Sequence, residues 1–223
     1  MSKVQCSYVP KVIRTGVIEL SGGARFFIVE QYIEGETYRD VLIRNPVQSL
    51  QSVLALCEAM LSACCDFEAV RIVHRDLKPE NLMVDTHGKL WIIDFGIARH
   101  LDLLSITPDG GGFGVGTLGY AAPEQFHNIK AEIDARTDLY AAGIIIYEGL
   151  TGSHPYMGRI MDHRAILRRM ETTDLPRLDI PGDVNGEFAR FISALGQRFP
   201  SRRPQSAGEA HAWFKQIPLV QGR

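Results

Sequence analysis

The sequence predicts an α+β fold in which a helix-dominated body carries a small β portion near its start. Three observations carry this prediction. Two short apolar runs flank Ser21-Gly22-Gly23 close to the amino end. From Ser49 to about Glu68, apolar residues recur at three-to-four spacing. Four further helical stretches then fill the second half. No internal repeat and no linker rich in Pro, Gly or Ser divides the chain, and 223 residues at 45% hydrophobic suffice for one good core.

Taken in order, Val12 to Ile18 and Phe26 to Tyr32 are strand-like runs whose intervening glycines make a β-hairpin. Ile33-Glu34-Gly35 breaks the second strand, and Glu36 to Arg44 reads as a short helix stopped by Asn45-Pro46. Leu50, Val53, Leu54, Cys57, Met60, Leu61 and Cys64 form the apolar stripe of one long amphipathic helix. Leu82-Met83-Val84 and Leu90-Trp91-Ile92-Ile93 are short strands around the turn Thr86-His87-Gly88. The span from Ile97 to Gly119 is rich in Gly and turn formers and reads as a mobile loop. Helices follow at roughly Ala135–Gly149, Arg159–Glu171, Asn185–Gln197 and Ser206–Ile217.

Composition narrows the function classes. A net charge of -2 gives no reason to expect nucleic acid or an anionic membrane as main partner. No apolar run approaches the ~20 residues that span a bilayer, and no basic-then-apolar signal pattern opens the chain. Cys6, Cys57, Cys64 and Cys65 lack C-x-x-C spacing, and three of them sit in an apolar helical stretch. Buried thiols in a reducing, cytoplasmic setting fit that pattern better than disulfides or metal. His87, His100, His127, His163 and His211 show no ligand spacing, and His154 falls in a loop where a structural role is expected.

The chemistry-bearing residues lie in three segments: His74-Arg75-Asp76-Leu77-Lys78-Pro79-Glu80-Asn81, then Asp94-Phe95-Gly96, then Ala122-Pro123-Glu124. Phosphoryl transfer asks a protein for positioning and charge stabilisation more than for covalent chemistry, and each demand has a residue here. Asp76 can accept a hydrogen bond and then a proton from a substrate hydroxyl, and Lys78 can reach the transferring oxygens. Asn81 and Asp94 are hard oxygen ligands suited to Mg²⁺ on nucleotide phosphates. Gly96 permits the turn that aims Asp94 inward. Each fragment alone is a weak signal; all three in register are a strong one.

From about Ser7 onward the chain resembles a Hanks-type Ser/Thr protein kinase of the bacterial kind. Gly116-Thr117-Leu118-Gly119-Tyr120-Ala121-Ala122-Pro123-Glu124-Gln125 is similar to the family's substrate-docking segment, and Arg136 to Gly143 to the start of its central buried helix, with Asp138 inside it. Arg203-Pro204 resembles the late Arg that pairs with Glu124, and Ile28 to Gly35 resembles the hinge. The resemblance implies a kinase-like fold with a complete helical carboxy-terminal lobe, 36–223, and a remnant of the amino-terminal lobe with the hinge, 1–35. It implies ATP and Mg²⁺, with adenine held by the backbone of Gln31 and Ile33 above Met83. Lys78 is the Ser/Thr-kinase choice, and the docking segment with Thr117 implies a protein substrate. Arg75 resembles the arginine of kinases whose loop is ordered by phosphorylation, with Ser105, Thr107 and Thr117 as acceptors; Ser105 and Thr107 read equally well as plain loop polars.

The chain also departs from the family. The stretch ahead of the hinge holds no glycine-rich loop and no V-A-I-K strand, and Lys3 and Lys11 are the only lysines before Lys78. The run Gly110 to Gly116 lies between Asp94 and Glu124, so it reads as part of the loop rather than a phosphate cradle. Glu30 takes the gatekeeper position, with Phe26 and Ile28 on its face of the strand. A carboxylate there is costly under a covering helix but unremarkable if the site is open to water. A two-stranded remnant has open edges and loses cover over Val12, Ile13, Phe26 and Ile28, so a second copy of the chain or another protein is expected on it. The leading expectation is an ATP-dependent Ser/Thr protein kinase of reduced or partner-dependent activity. A non-catalytic kinase-like binding module and one half of a split kinase remain as alternatives.

Overall fold

The computed structural model describes residues 6–94, 119–158 and 162–222. Phe95, Gly96, Ser105, Thr107, Thr117 and the glycine run Gly110 to Gly116 therefore lie outside the described residues.

Strands β1 (Val12–Leu20) and β2 (Gly23–Glu30) pair antiparallel as the expected hairpin. The register sets Val17 against Phe26, Thr15 against Ile28 and Val12 against Glu30. Arg14, opposite Val29, and Arg25, opposite Ile18, therefore share the other face. Both faces leave large apolar side chains in water: Ile13 is 68% and Phe26 49% exposed, while Val12 and Ile28 are half-buried.

A second, three-stranded antiparallel sheet joins β3 (Gly35–Thr37), β4 (Leu82–Asp85) and β5 (Leu90–Ile92). The strand β3 replaces the start of the helix expected from Glu36. Thr37 instead caps helix α1 (Tyr38–Arg44), its Oγ1 accepting from Asp40 N at 3.2 Å. Gly35 is required where it stands, because a Cβ there would sit 2.2 Å from the Val84 carbonyl oxygen.

Helix α2 (Leu50–Ala69) follows the apolar periodicity, with Ser49 Oγ accepting from Ser52 N at 3.1 Å. By length and composition it is apolar enough to cross a bilayer, a correction to the expectation that no such run exists. Its buried stripe from Val53 to Phe67 packs into the core, which accounts for that apolar character. After the short helix α3 (Pro123–Phe126) comes α4 (Ala135–Thr151), buried along nearly its whole length. Asp134 caps its start, and Gly152 at φ 70 ends it by donating its N–H to Glu148 O. Helices α5 (His163–Thr172), α6 (Glu187–Leu195), α7 (Ala207–Gln216) and α8 (Pro218–Gln221) complete the body. Phe188, Phe191 and Phe214 stack where α6 meets α7. The last predicted helix, Ser206–Ile217, is α7, and Pro218 opens the separate short α8 because it has no N–H to continue the preceding turn.

All four cysteines are free; Cys57 and Cys64 are buried, and Cys6 and Cys65 partly so. The amino-terminal segment is tied to the second sheet, Ile92 N donating to Tyr8 O at 2.7 Å.

Candidate active site

The loop between α2 and β4 carries the first functional segment, and its shape is fixed from below by helix α4. Asp138, buried, accepts from His74 N at 2.7 Å and from Arg75 N at 2.9 Å. Burial pushes its carboxyl up to about 7, against the pull of those two N–H groups. This anchoring holds Arg75 at φ 66, a left-handed conformation that a non-glycine residue adopts only under external restraint.

His74 supplies a second brace. Burial drives its imidazole down to about 4, so it is neutral at physiological pH. Its Nδ1 accepts from Asp76 N at 3.3 Å, so the proton sits on Nε2, which donates to Ile93 O at 3.2 Å. Ile93 N in turn donates to Asn81 O at 2.9 Å. These bonds draw the end of β5, and with it Asp94, to the His74–Asn81 loop. Asp94 is exposed and left-handed at φ 55, so the turn expected of Gly96 already begins at Asp94 itself.

Asp76 has an asymmetric carboxylate. Its Oδ2 accepts from Lys78 Nζ at 2.9 Å and from Asn81 Nδ2 at 3.0 Å. Its Oδ1 is buried and has no hydrogen-bond partner among the described residues. Asn81 Nδ2 also donates to Asp76 O at 2.8 Å, so the Asn81 amide is oriented with its oxygen as the remaining acceptor. Asn81 Oδ1 and the Asp94 carboxylate are hard oxygens suited to Mg²⁺.

The other predicted positions divide as follows. In the hinge, Gln31 N donates to Lys11 O at 2.8 Å, and Ile33 is buried. Met83 lies half-buried on β4 between Thr37 and Trp91. Glu30 is half-buried rather than open to water; burial first and the Asp94 charge second raise its carboxyl above the usual range. Glu124 and Arg203 form a buried bidentate pair at 2.6 and 2.9 Å. His154 has the structural role expected of it, Nδ1 accepting from Tyr156 N and Met157 N, both at 3.1 Å.

Sequence reasoning missed two connections. Arg39 on α1 donates to Glu80 at 2.8 Å, to Glu148 at 2.9 Å and to Tyr120 Oη at 2.5 Å, and Tyr120 Oη also bonds Glu148. Gln125 joins the docking segment to the carbonyl of Arg75. Its place three residues after Ala122, where a Gln side chain reaches back over a helix start, is the one signal that could have found it.

The profile of the family described as protein kinase domain matches residues 1–214. Among curated proteins, the serine/threonine-protein kinase PknL of Mycobacterium tuberculosis is 32% identical over 182 residues, covering 81% of this chain and 44% of the relative. The serine/threonine-protein kinase PknB of Mycobacterium leprae is 36% identical over 207 residues, covering 90% of this chain and 32% of the relative. The PknB of Mycolicibacterium smegmatis is 29% identical over 206 residues, with 90% and 32% covered. The chain thus spans less than half the length of each of these relatives. With the His74–Asn81 loop clamped onto helix α4 and the Glu124–Arg203 pair in place, the match over residues 1–214 establishes that the chain belongs to the protein kinase domain family.

Proposed function

We propose that this chain is an ATP-dependent serine/threonine protein kinase, transferring the γ-phosphoryl group to hydroxyls of a protein substrate in the cytoplasm. The observation that carries the proposal is the Asp76 carboxylate, one oxygen held by Lys78 and Asn81 and the other buried without a partner among the described residues. A substrate hydroxyl would donate to Oδ1. As its oxygen bonds the γ-phosphorus and the bond to ADP breaks, the hydroxyl proton passes to Asp76. Lys78, beside Oδ2, balances charge on the transferring group. Asn81 and Asp94 would hold Mg²⁺, which draws charge from the nucleotide phosphates; Gln31 and Ile33 would hold adenine over Met83. Lys78 two residues after Asp76 favours Ser/Thr acceptors, in keeping with how the curated relatives are named.

Regulation and assembly follow from two further features. Arg75 Nε is buried without a partner among the described residues, which suits a phosphate on Ser105, Thr107 or Thr117. The hairpin, read with the hinge as the 1–35 remnant above the 36–223 lobe, carries Arg14 and Arg25 on one face and Glu19 and Glu30 on the other. Its charge is therefore complementary to a second copy, which would cover Val17, Leu20 and Phe26; a strict monomer by light scattering at micromolar concentration would remove this part of the reading.

Labelled ATP with Mg²⁺ tests the whole, scoring phosphate on the chain and on a generic basic protein. Label that disappears in Asp76→Asn is the expected result. No label, with no nucleotide-induced thermal shift, would leave a binding module instead.

A further inference from the structure

We infer that Gln125 is a positioning residue, the tie that fixes the acceptor-docking segment relative to the catalytic base. The inference rests on reading Asp76 as that base. Gln125 Oε1 accepts from Ala122 N at 3.0 Å, closing the start of α3, while Nε2 donates to Arg75 O at 2.8 Å. The two partners fix the amide orientation, because Ala122 N can only donate and a carbonyl can only accept. No other side chain does both at this reach. Glu lacks the donor, Met lacks both groups, and Asn is one methylene short.

What the bond holds gives it consequence. Arg75 is left-handed, and its N–H is fixed by Asp138 Oδ1. Gln125 fixes the carbonyl at the other side of the same residue. The peptide group running into Asp76 is thereby held by Gln125 at its carbonyl and by His74 Nδ1 at its N–H, while the peptide group before it is held by Asp138 of helix α4. A substrate seated on residues 119–124 is registered to Asp76 directly through this side chain, beside the longer route through Glu124, Thr137 and Asp138 on α4. Releasing it lets the strained Arg75 backbone relax and swings Asp76 relative to the bound acceptor.

Steady-state kinetics of the full chain with ATP and a peptide acceptor, on Gln125→Glu and Gln125→Met, give the first reading. Gln125→Glu keeps the cap on Ala122 and loses only the donor. Both variants should lower kcat for phosphopeptide by roughly 10-fold or more while KM for ATP stays within about 2-fold, because a misplacement of about 1 Å costs up to 10²-fold in rate. Hydrogen exchange gives a reading that needs no turnover: amides of residues 74–78 should exchange faster in Gln125→Glu while those of helix α4 keep their protection. Unchanged exchange at 74–78 overturns the inference, as does a kcat within about 2-fold of the parent chain. A matched fall in thermal midpoint, in α4 protection and in ATP affinity would also overturn it, by showing a merely structural role. If Asp76→Asn keeps its label, the base assignment fails separately, and the exchange measurement still decides whether Gln125 holds the loop.

Discussion

Replacing Arg203 by Met should cost this protein a large share of its stability, and the structure sets the size. The Arg203 side chain is 0% and that of Glu124 1% exposed, so the change leaves a carboxylate in the interior with its cation gone. Thr137 Oγ1, at 3.0 Å, would be a remaining donor to Glu124. Breaking one side of such a pair typically costs about 3–5 kcal/mol. The guanidinium also donates to the carbonyls of Gln197 at 2.6 Å, Arg136 at 3.0 Å and Arg198 at 3.1 Å, and it lies 4.9 Å from the Tyr140 ring. Three carbonyls lose a donor in the same dry site, so at least about 4 kcal/mol is expected overall, against a typical domain stability of about 5–15 kcal/mol. Urea unfolding followed by far-ultraviolet circular dichroism at pH 7 measures it. Arg203→Lys keeps the charge without the planar fork and should fall between. Removing Glu124 as well, as Glu124→Leu in the Arg203→Met background, should recover part of the loss, since the uncompensated charge goes with it. A loss under about 1 kcal/mol for Arg203→Met would refute the claim that this pair is dry and interdependent.

Gly35→Ala should lower the thermal midpoint by several degrees, roughly 1–3 kcal/mol, because its Cβ meets the backbone of Val84 at 2.2 Å and of Asp85 at 2.8 Å rather than a movable side chain. Gly208→Ala in α7, where the nearest atom is 3.8 Å away, is the control and should be neutral or stabilising by calorimetry. Acid should also destabilise the fold through His154, whose imidazole burial pushes down from 6.5 to about 3. The unfolded chain binds the proton first, so stability from this group is complete above pH 6.5 and is lost as pH falls toward 3, by up to about 1.4 kcal/mol per pH unit. A chain with His154→Asn should show a shallower loss between pH 6 and about 4 in the same urea titrations.

Helix α2 was legible because its stripe repeats over many turns and Ser49 marks its start; α4 was legible from the run between Asp134 and Gly152. β3 was not, since Gly35-Glu36-Thr37 has no strand pattern and is extended only because β4 lies beside it. The end of α7 was legible too, because Pro218 stops a helix locally. At the site, Asp76, Lys78, Asn81 and Asp94 could be named from spacing, because those residue types answer a chemical need. Their bracing could not. Asp138, Gln125 and Arg39 act through partners 63, 50 and 109 positions away, and nothing local in the sequence encodes such pairings. The half-burial of Glu30 was not legible for the same reason, its cover and its neighbour Asp94 being set by tertiary contact.

The opening turn of α4 serves several masters within a few residues: the Arg136 carbonyl receives Arg203, Thr137 reaches Glu124, and Asp138 grips the loop bearing Asp76. The proposed base and the proposed docking segment are thus surveyed from one benchmark. Tilting that helix would carry both along together and leave their mutual alignment intact. Control that turns the chain on or off has to enter elsewhere, through whatever bends the loop or the segment away from this shared datum.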